Sequence, residues 1–213
     1  MLKYIIGTVL IFLSGCQTSD EDTRLKLNEL QLIGSHNSYK IGIEKPLMDL
    51  LVAEDSNAIG LDYWHLAPSE QLDMGIRGLE LDVLYDPFGG AFARPVGLDI
   101  LDSLGFGFEP YDTASLLAPG FKVFHIPDID FRSHCLTFKG CLNDVKEWSY
   151  SNSNHIPIII TINPKNSGVQ KPGFTNVIPF DKQVLDSLDQ EILEVFDKEK
   201  LVTPELVKGS YES

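Results

Sequence analysis

The chain has 213 residues, of which 43% are hydrophobic, 10% aromatic and 23% charged. That balance suits one globular domain with a sizeable core and excludes a disordered tail or a coiled coil. The 31 acidic and 17 basic side chains leave a formal charge of −14. This argues against nucleic acid as a partner and against electrostatic attachment to anionic lipid, because phosphate neutralisation needs a basic face. A carboxylate surplus is compatible with a divalent cation but does not indicate one, since acidic surfaces are usually just solvated.

Lys3 precedes the apolar run 4–13, which Ser14, Gly15 and Cys16 follow. The run is too short to span a bilayer and has the layout of a secretory signal. Leu13-Ser14-Gly15-Cys16 resembles the lipobox of bacterial lipoproteins, which implies cleavage before Cys16 and acylation of its thiol. Several acyl chains anchor stably where one binds marginally. The other reading is an ordinary signal peptide with a chance cysteine. Residues 1–15 are thus expected to be a lipoprotein signal, residues 16–28 an acidic tether, and residues 29–213 the folded domain. Gln17 in place of Asp after the cysteine points to the outer membrane or cell surface. Export places the domain in an oxidising compartment. Cys135 and Cys141 are then the available pair, and without a His or Cys cluster at zinc spacing they read as a loop disulfide rather than a metal site.

Residues 30–33 predict a short strand ending in Gly34-Ser35-His36-Asn37. Residues 69–74 look like a helix end closed by Gly75, and residues 77–84, 121–126 and 156–162 predict further strands. Leu142, Val145 and Trp148 give helical spacing over 142–149. Phe180-Asp181 marks a helix start, and Val184, Leu185, Leu188, Ile192 and Val195-Phe196 form a 3.6-residue stripe. Apolar strands alternating with helices predict an α/β fold with a parallel sheet covered on both sides. Residues 85–119 are rich in Gly, Pro and Asp, lack periodicity and read as a long loop. At least four β/α units are expected. An eight-unit barrel takes about 250 residues, so the chain reads as the N-terminal half of a barrel that stops early.

Glu80 and Asp82 stand two apart in Leu79-Glu80-Leu81-Asp82-Val83. Strand alternation puts both carboxylates on one face and Leu79, Leu81 and Val83 on the other. Side by side in a buried strand they repel and lose hydration, costs that a bound Ca2+ would relieve. The plainer reading is an exposed edge strand with one polar face. His36 and Asn37 follow the first strand and His125 ends the third, the strand ends where α/β barrels gather catalytic groups. His65, His134 and His155 lack such placement and read as surface or structural residues.

Three stretches together resemble the bacterial Ca2+-dependent phosphoinositide-specific phospholipase C family. They are Gln31-Leu32-Ile33-Gly34-Ser35-His36-Asn37-Ser38-Tyr39, then Gln71-Leu72-Asp73-Met74-Gly75-Ile76-Arg77-Gly78-Leu79-Glu80-Leu81-Asp82-Val83, then Lys122-Val123-Phe124-His125-Ile126-Pro127-Asp128. The resemblance implies a distorted TIM-type barrel, here incomplete. It further implies cleavage of phosphatidylinositol to diacylglycerol and inositol phosphate through a cyclic phosphate. On it, His36 and His125 are the two catalytic histidines, and Asn37, Glu80 and Asp82 are ligands of a Ca2+ cofactor. The expected partners are a phospholipid substrate and, through the anchor, a membrane.

The chain departs from the family at Asn163, where a glutamate usually supplies a fourth Ca2+ ligand. Asn163 brings a carbonyl oxygen without charge, which predicts weaker Ca2+ binding. Two other readings stay open: a glycerophosphodiester phosphodiesterase on the same barrel, and a non-catalytic surface lipoprotein that retains the fold.

Overall fold

The computed structural model describes residues 26–210. The expected signal segment, Cys16 and most of the expected tether lie outside the described residues. Leu27–Glu29 forms a 3-10 turn, and the α/β unit begins at Leu32.

Strand β1, Gly78–Asp86, is the centre of a three-stranded sheet in the order β2-β1-β3. Its alternation buries Leu79, Leu81 and Val83. Strand β2, Gly120–Val123, runs antiparallel to it, with Val83 opposite Val123. Strand β3, Ile159–Pro164, runs parallel, with Glu80 opposite Thr161 and Asp82 opposite Asn163. The sheet is therefore small, open and mixed rather than wholly parallel. A short buried run such as Phe121-Lys122-Val123 carries no directional signal, so the sequence could not distinguish the two senses. The Glu80/Asp82 strand is central, which removes the edge-strand reading.

Residues 30–33, the expected first strand, form no strand of their own; a parallel bridge from Gly34 to Gly78 follows them. The two backbones come too close for side chains: a Cβ on Gly78 would lie 3.0 Å from Gly34 Cα. The stretch 85–119 is not a plain loop. It continues β1 to Asp86 and holds two helices, α3 (Val96–Ser103) and α4 (Thr113–Leu116). Leu98 and Leu101 of α3 are buried in one cluster with Leu47 and Met48 of α1, Lys45–Glu54. Both helices are short, so flanking Gly and Pro hide their periodicity.

Helix α2, Pro68–Asp73, starts with proline and is followed by Gly75 at φ +95°, the closing glycine that the sequence predicts. Helix α5, Phe138–Ser151, is capped by Thr137 and buries Leu142, Val145 and Trp148. Helix α6, Lys182–Val195, is capped by Asp181 and buries Val184, Leu188 and Val195. Leu185 is exposed, and Glu191 takes a buried place on that face. A short last helix, α7, spans Pro204–Lys208. Cys135 and Cys141 are joined in a disulfide with Cα atoms 5.1 Å apart, just before and within the first turn of α5. So small a closed loop contributes roughly 2 kcal/mol. Among the described residues no helix is long and apolar enough to cross a membrane.

Candidate active site

The turn after Gly34 is fastened to β1 by its own serines. Ser35 N donates to Gly78 O (3.0 Å) and Ser38 N to Glu80 O (3.0 Å), while Glu80 N donates to Ser38 Oγ (2.8 Å). Buried Gln71 of α2 holds the turn from behind, bonding Ser35 Oγ through Oε1 and the Ser38 carbonyl through Nε2, both at 2.6 Å. Asn37 takes φ +50°, a conformation asparagine tolerates better than most residues. Its backbone N–H thereby reaches Glu80 Oε2 at 3.2 Å.

Around Asn37 the polar groups converge. Tyr39 Oη donates to Asn37 Oδ1 (3.2 Å), and Asn37 Nδ2 donates to Tyr63 Oη (2.7 Å). Burial first, and then the adjacent Asp82 carboxylate, push the Tyr39 phenol well above its ordinary pKa, which keeps it a donor. Burial likewise raises Tyr63, with the Asn37 amide pulling the other way. His36 lies over Tyr63 with ring centroids 6.4 Å apart, and its Nε2 stands 3.6 Å from Glu80 Oε2.

Asp82 is fully buried. Asn163 Nδ2 donates to its Oδ1 at 2.6 Å. Its Oδ2 has the Lys165 ammonium 2.8 Å away and accepts no hydrogen bond among the described residues. Asn163 faces Asp82 because the two are register partners on parallel strands.

His125 sits beyond β2. Its Nδ1 is 2.8 Å from Asp130 Oδ2, and Asp130 Oδ1 accepts from Lys40 Nζ at 2.6 Å. Asp130 and Lys40 are both inaccessible to solvent. The Lys40 ammonium also lies 5.0 Å from the centre of the Tyr63 ring. Tyr63 and Lys40 thus link the His36–Asn37 turn to the His125–Asp130 pair.

The structure therefore brings His36, Asn37, Glu80, Asp82 and Asn163 into one connected cluster and joins His125 to it through Asp130, Lys40 and Tyr63. Cys135 and Cys141 lie apart from it, in their disulfide. His65 and His134 are structural: His65 Nε2 bonds the His36 carbonyl (2.7 Å), and His134 Nε2 bonds that of His65 (2.9 Å). Sequence reasoning missed Lys40, Tyr63, Asp130 and Lys165. Lys165 had a signal, because it stands two residues from Asn163 and alternation puts the two on one face. Lys40, Tyr63 and Asp130 had none, since their roles depend on tertiary placement.

Among the described residues, no three His, Cys, Asp or Glu side chains gather as a metal-holding group. The oxygen donors at hand are two carboxylates, Glu80 and Asp82, and the amide oxygen of Asn37. These are hard ligands of the kind calcium takes. The buried Asp82 Oδ2, lacking a hydrogen-bond donor, is the atom that best fits a cation. The set fits calcium in chemistry but is poor in charge.

The chain is similar to solved structures of a calcium-dependent phosphoinositol-specific phospholipase C from a Gram-negative bacterium, Pseudomonas sp. In one apo crystal form the identity is 20% and the TM-score 0.42, covering 83% of this chain and 43% of that one. In its myoinositol complex the identity is 19% and the TM-score 0.42, covering 83% and 44%. The chain thus spans under half the length of these structures. No curated protein matches it. Residues 25–213 match the model of the family described as phosphoinositide phospholipase C, Ca2+-dependent. That match takes in nearly the whole chain, and the chain belongs to this family.

Proposed function

We propose that the chain is an exported, lipid-anchored phosphodiesterase that cleaves phosphatidylinositol-type phospholipids. The products would be diacylglycerol and inositol phosphate, formed through a cyclic phosphate with Ca2+ as cofactor. The observation that carries this reading is the linked placement of the His36–Asn37–Glu80–Asp82 cluster and the His125–Asp130 pair. Asn37, Glu80 and Asp82 would hold the cation. When bound, calcium would lower the pKa of the inositol 2-hydroxyl and offset charge on the phosphate oxygens.

The rest falls to the protein's own groups. Asp130 accepts from His125 Nδ1, which fixes the imidazole's orientation and leaves Nε2 to face the substrate. Nε2 of the protonated His125 imidazole donates its proton to the diacylglycerol oxygen as the P–O bond breaks, while the 2-hydroxyl oxygen gives its proton to a neighbouring carboxylate of the cluster and closes onto phosphorus. In the second step the neutral imidazole takes a proton from water, whose oxygen attacks phosphorus, and the carboxylate returns its proton to the 2-oxygen as the cyclic ester opens. His36, on the exposed side of Glu80, is placed to meet charge on the phosphoryl oxygens.

Phosphatidylinositol vesicles with and without chelator test the reading. Calcium-dependent release of inositol phosphate is expected. Turnover of glycerophosphodiesters alone would favour the glycerol-specific alternative. The Asn163 amide and the Lys165 ammonium on Asp82 favour a ligand-binding lipoprotein, and absence of turnover on both substrates would support it. Cys16→Ser is expected to move the chain out of the membrane fraction.

A further inference from the structure

We propose that Lys165 is a resident cation of this site. Its ammonium neutralises Asp82 while calcium is absent and competes with the ion for that carboxylate. The inference rests on calcium being the ligand of the cluster, as proposed above.

Asp82 has no exposed surface, and Glu80 shares its face of β1. A buried carboxylate beside a second one is costly unless something positive meets it. Here both of its oxygens are met from β3 and the residue after it, by Asn163 Nδ2 at 2.6 Å and Lys165 Nζ at 2.8 Å. The Lys165 backbone is fixed at the strand end, its N–H donating to Val83 O at 2.9 Å. Only the side chain is left to move.

Two other lysines pair with aspartates nearby, and they behave differently. Lys40 with Asp130 and Lys122 with Asp86 have almost no exposed side-chain surface on either partner. They cannot leave without opening the core. The Lys165 side chain keeps 21% of its surface in solvent while Asp82 keeps 1%. The ammonium can therefore swing into water along its flexible stem and clear Asp82 Oδ2, a buried carboxylate oxygen of the cluster that accepts no hydrogen bond among the described residues. Calcium binding then carries the cost of displacing a charge already in place, in addition to the ligand charge that Asn163 does not bring. In the calcium-free protein, the same ammonium keeps the cluster from repelling itself.

The test is calorimetric titration of the full chain with CaCl2, with melting curves in EGTA and in calcium. The variants are Lys165→Met, which keeps the stem without the charge, and Lys165→Arg, which keeps the charge. Lys165→Met is expected to bind calcium on the order of tenfold more tightly, because a like charge within a few ångströms has gone. It should melt below wild type in EGTA and gain more from added calcium, while Lys165→Arg stays near wild type. Should Lys165→Met not fold, Lys165→Gln carries the same expectation. Equal calcium affinity in wild type and the uncharged variants would overturn the proposal and leave the calcium reading standing. No calcium binding by any of the proteins would remove the calcium reading and this proposal with it.

Discussion

His36 and His125 occupy equivalent positions in the sequence, each at the end of an expected strand, yet their surroundings differ sharply. The His36 side chain keeps 71% of its surface exposed and touches its neighbours loosely, 3.4 Å from Tyr63 Oη and 3.6 Å from Glu80. The His125 side chain keeps 19% and is held at 2.8 Å by Asp130, which is itself locked to Lys40 in the core. A proton donor gains from a fixed tautomer and a standing counter-charge, so the clamped histidine suits acid–base work. An exposed, loosely held one suits contact with a charged substrate arriving from solvent.

The largest expected effect lies at the base of the clamp. Lys40→Met leaves Asp130 buried without its lysine counter-charge, with His125 still on its other oxygen, and should cost about 3 kcal/mol of stability in denaturant unfolding. An unchanged midpoint would show that the pair is not the anchor of that side. Next is Asp130→Asn, which keeps the shape but loses the charge behind His125. On phosphatidylinositol, kcat is expected to fall about a hundredfold with KM little changed. A change confined to KM would move Asp130 from positioning to binding. On the looser side, Tyr63→Phe removes one hydrogen bond to Asn37, worth about 1 kcal/mol or roughly fivefold in activity. A loss as large as that of Asp130→Asn would erase the contrast between the two sides.

The smallest effect concerns Glu191, a buried carboxylate with no lysine or arginine in ion-pair contact among the described residues. Its Oε1 accepts from Phe121 N at 3.0 Å, and its Oε2 has no hydrogen-bond partner among the described residues. Burial raises its pKa above the ordinary 4.5, so the folded state holds the proton more tightly than the unfolded. Its contribution to stability is therefore greatest at low pH and is lost as pH rises from about 4.5 through the raised value. Glu191→Gln should remove that slope and stabilise the protein at neutral pH by up to about 1 kcal/mol. A slope surviving in the variant would assign it to other groups.

Much of the cluster was legible before the fold was known, because its members lie within short motifs. Glu80 and Asp82 share a face by strand alternation alone, and His36 with Asn37 follow directly from the turn at Gly34. The helices α5 and α6 were legible for a similar reason, since each runs long enough to show its period. What was hidden depended on how the chain turns and packs. Asp130 reaches His125 only because the chain turns back after Pro127, and Lys40 meets Asp130 across 90 residues. The antiparallel sense of β2 and the two short helices between β1 and β2 were equally hidden. Neither strand direction nor a one- or two-turn helix leaves a period that composition can carry.

The central claim is that the two histidines serve one pocket, and a double-mutant cycle on phosphatidylinositol cleavage tests it most directly. His36→Ala, His125→Ala and the double variant would be compared with wild type under saturating calcium. Groups acting on one phosphate lose their effect together, so the double variant is expected to be little worse than the poorer single one. Losses that simply multiply, or a His125→Ala protein as active as wild type, would contradict it.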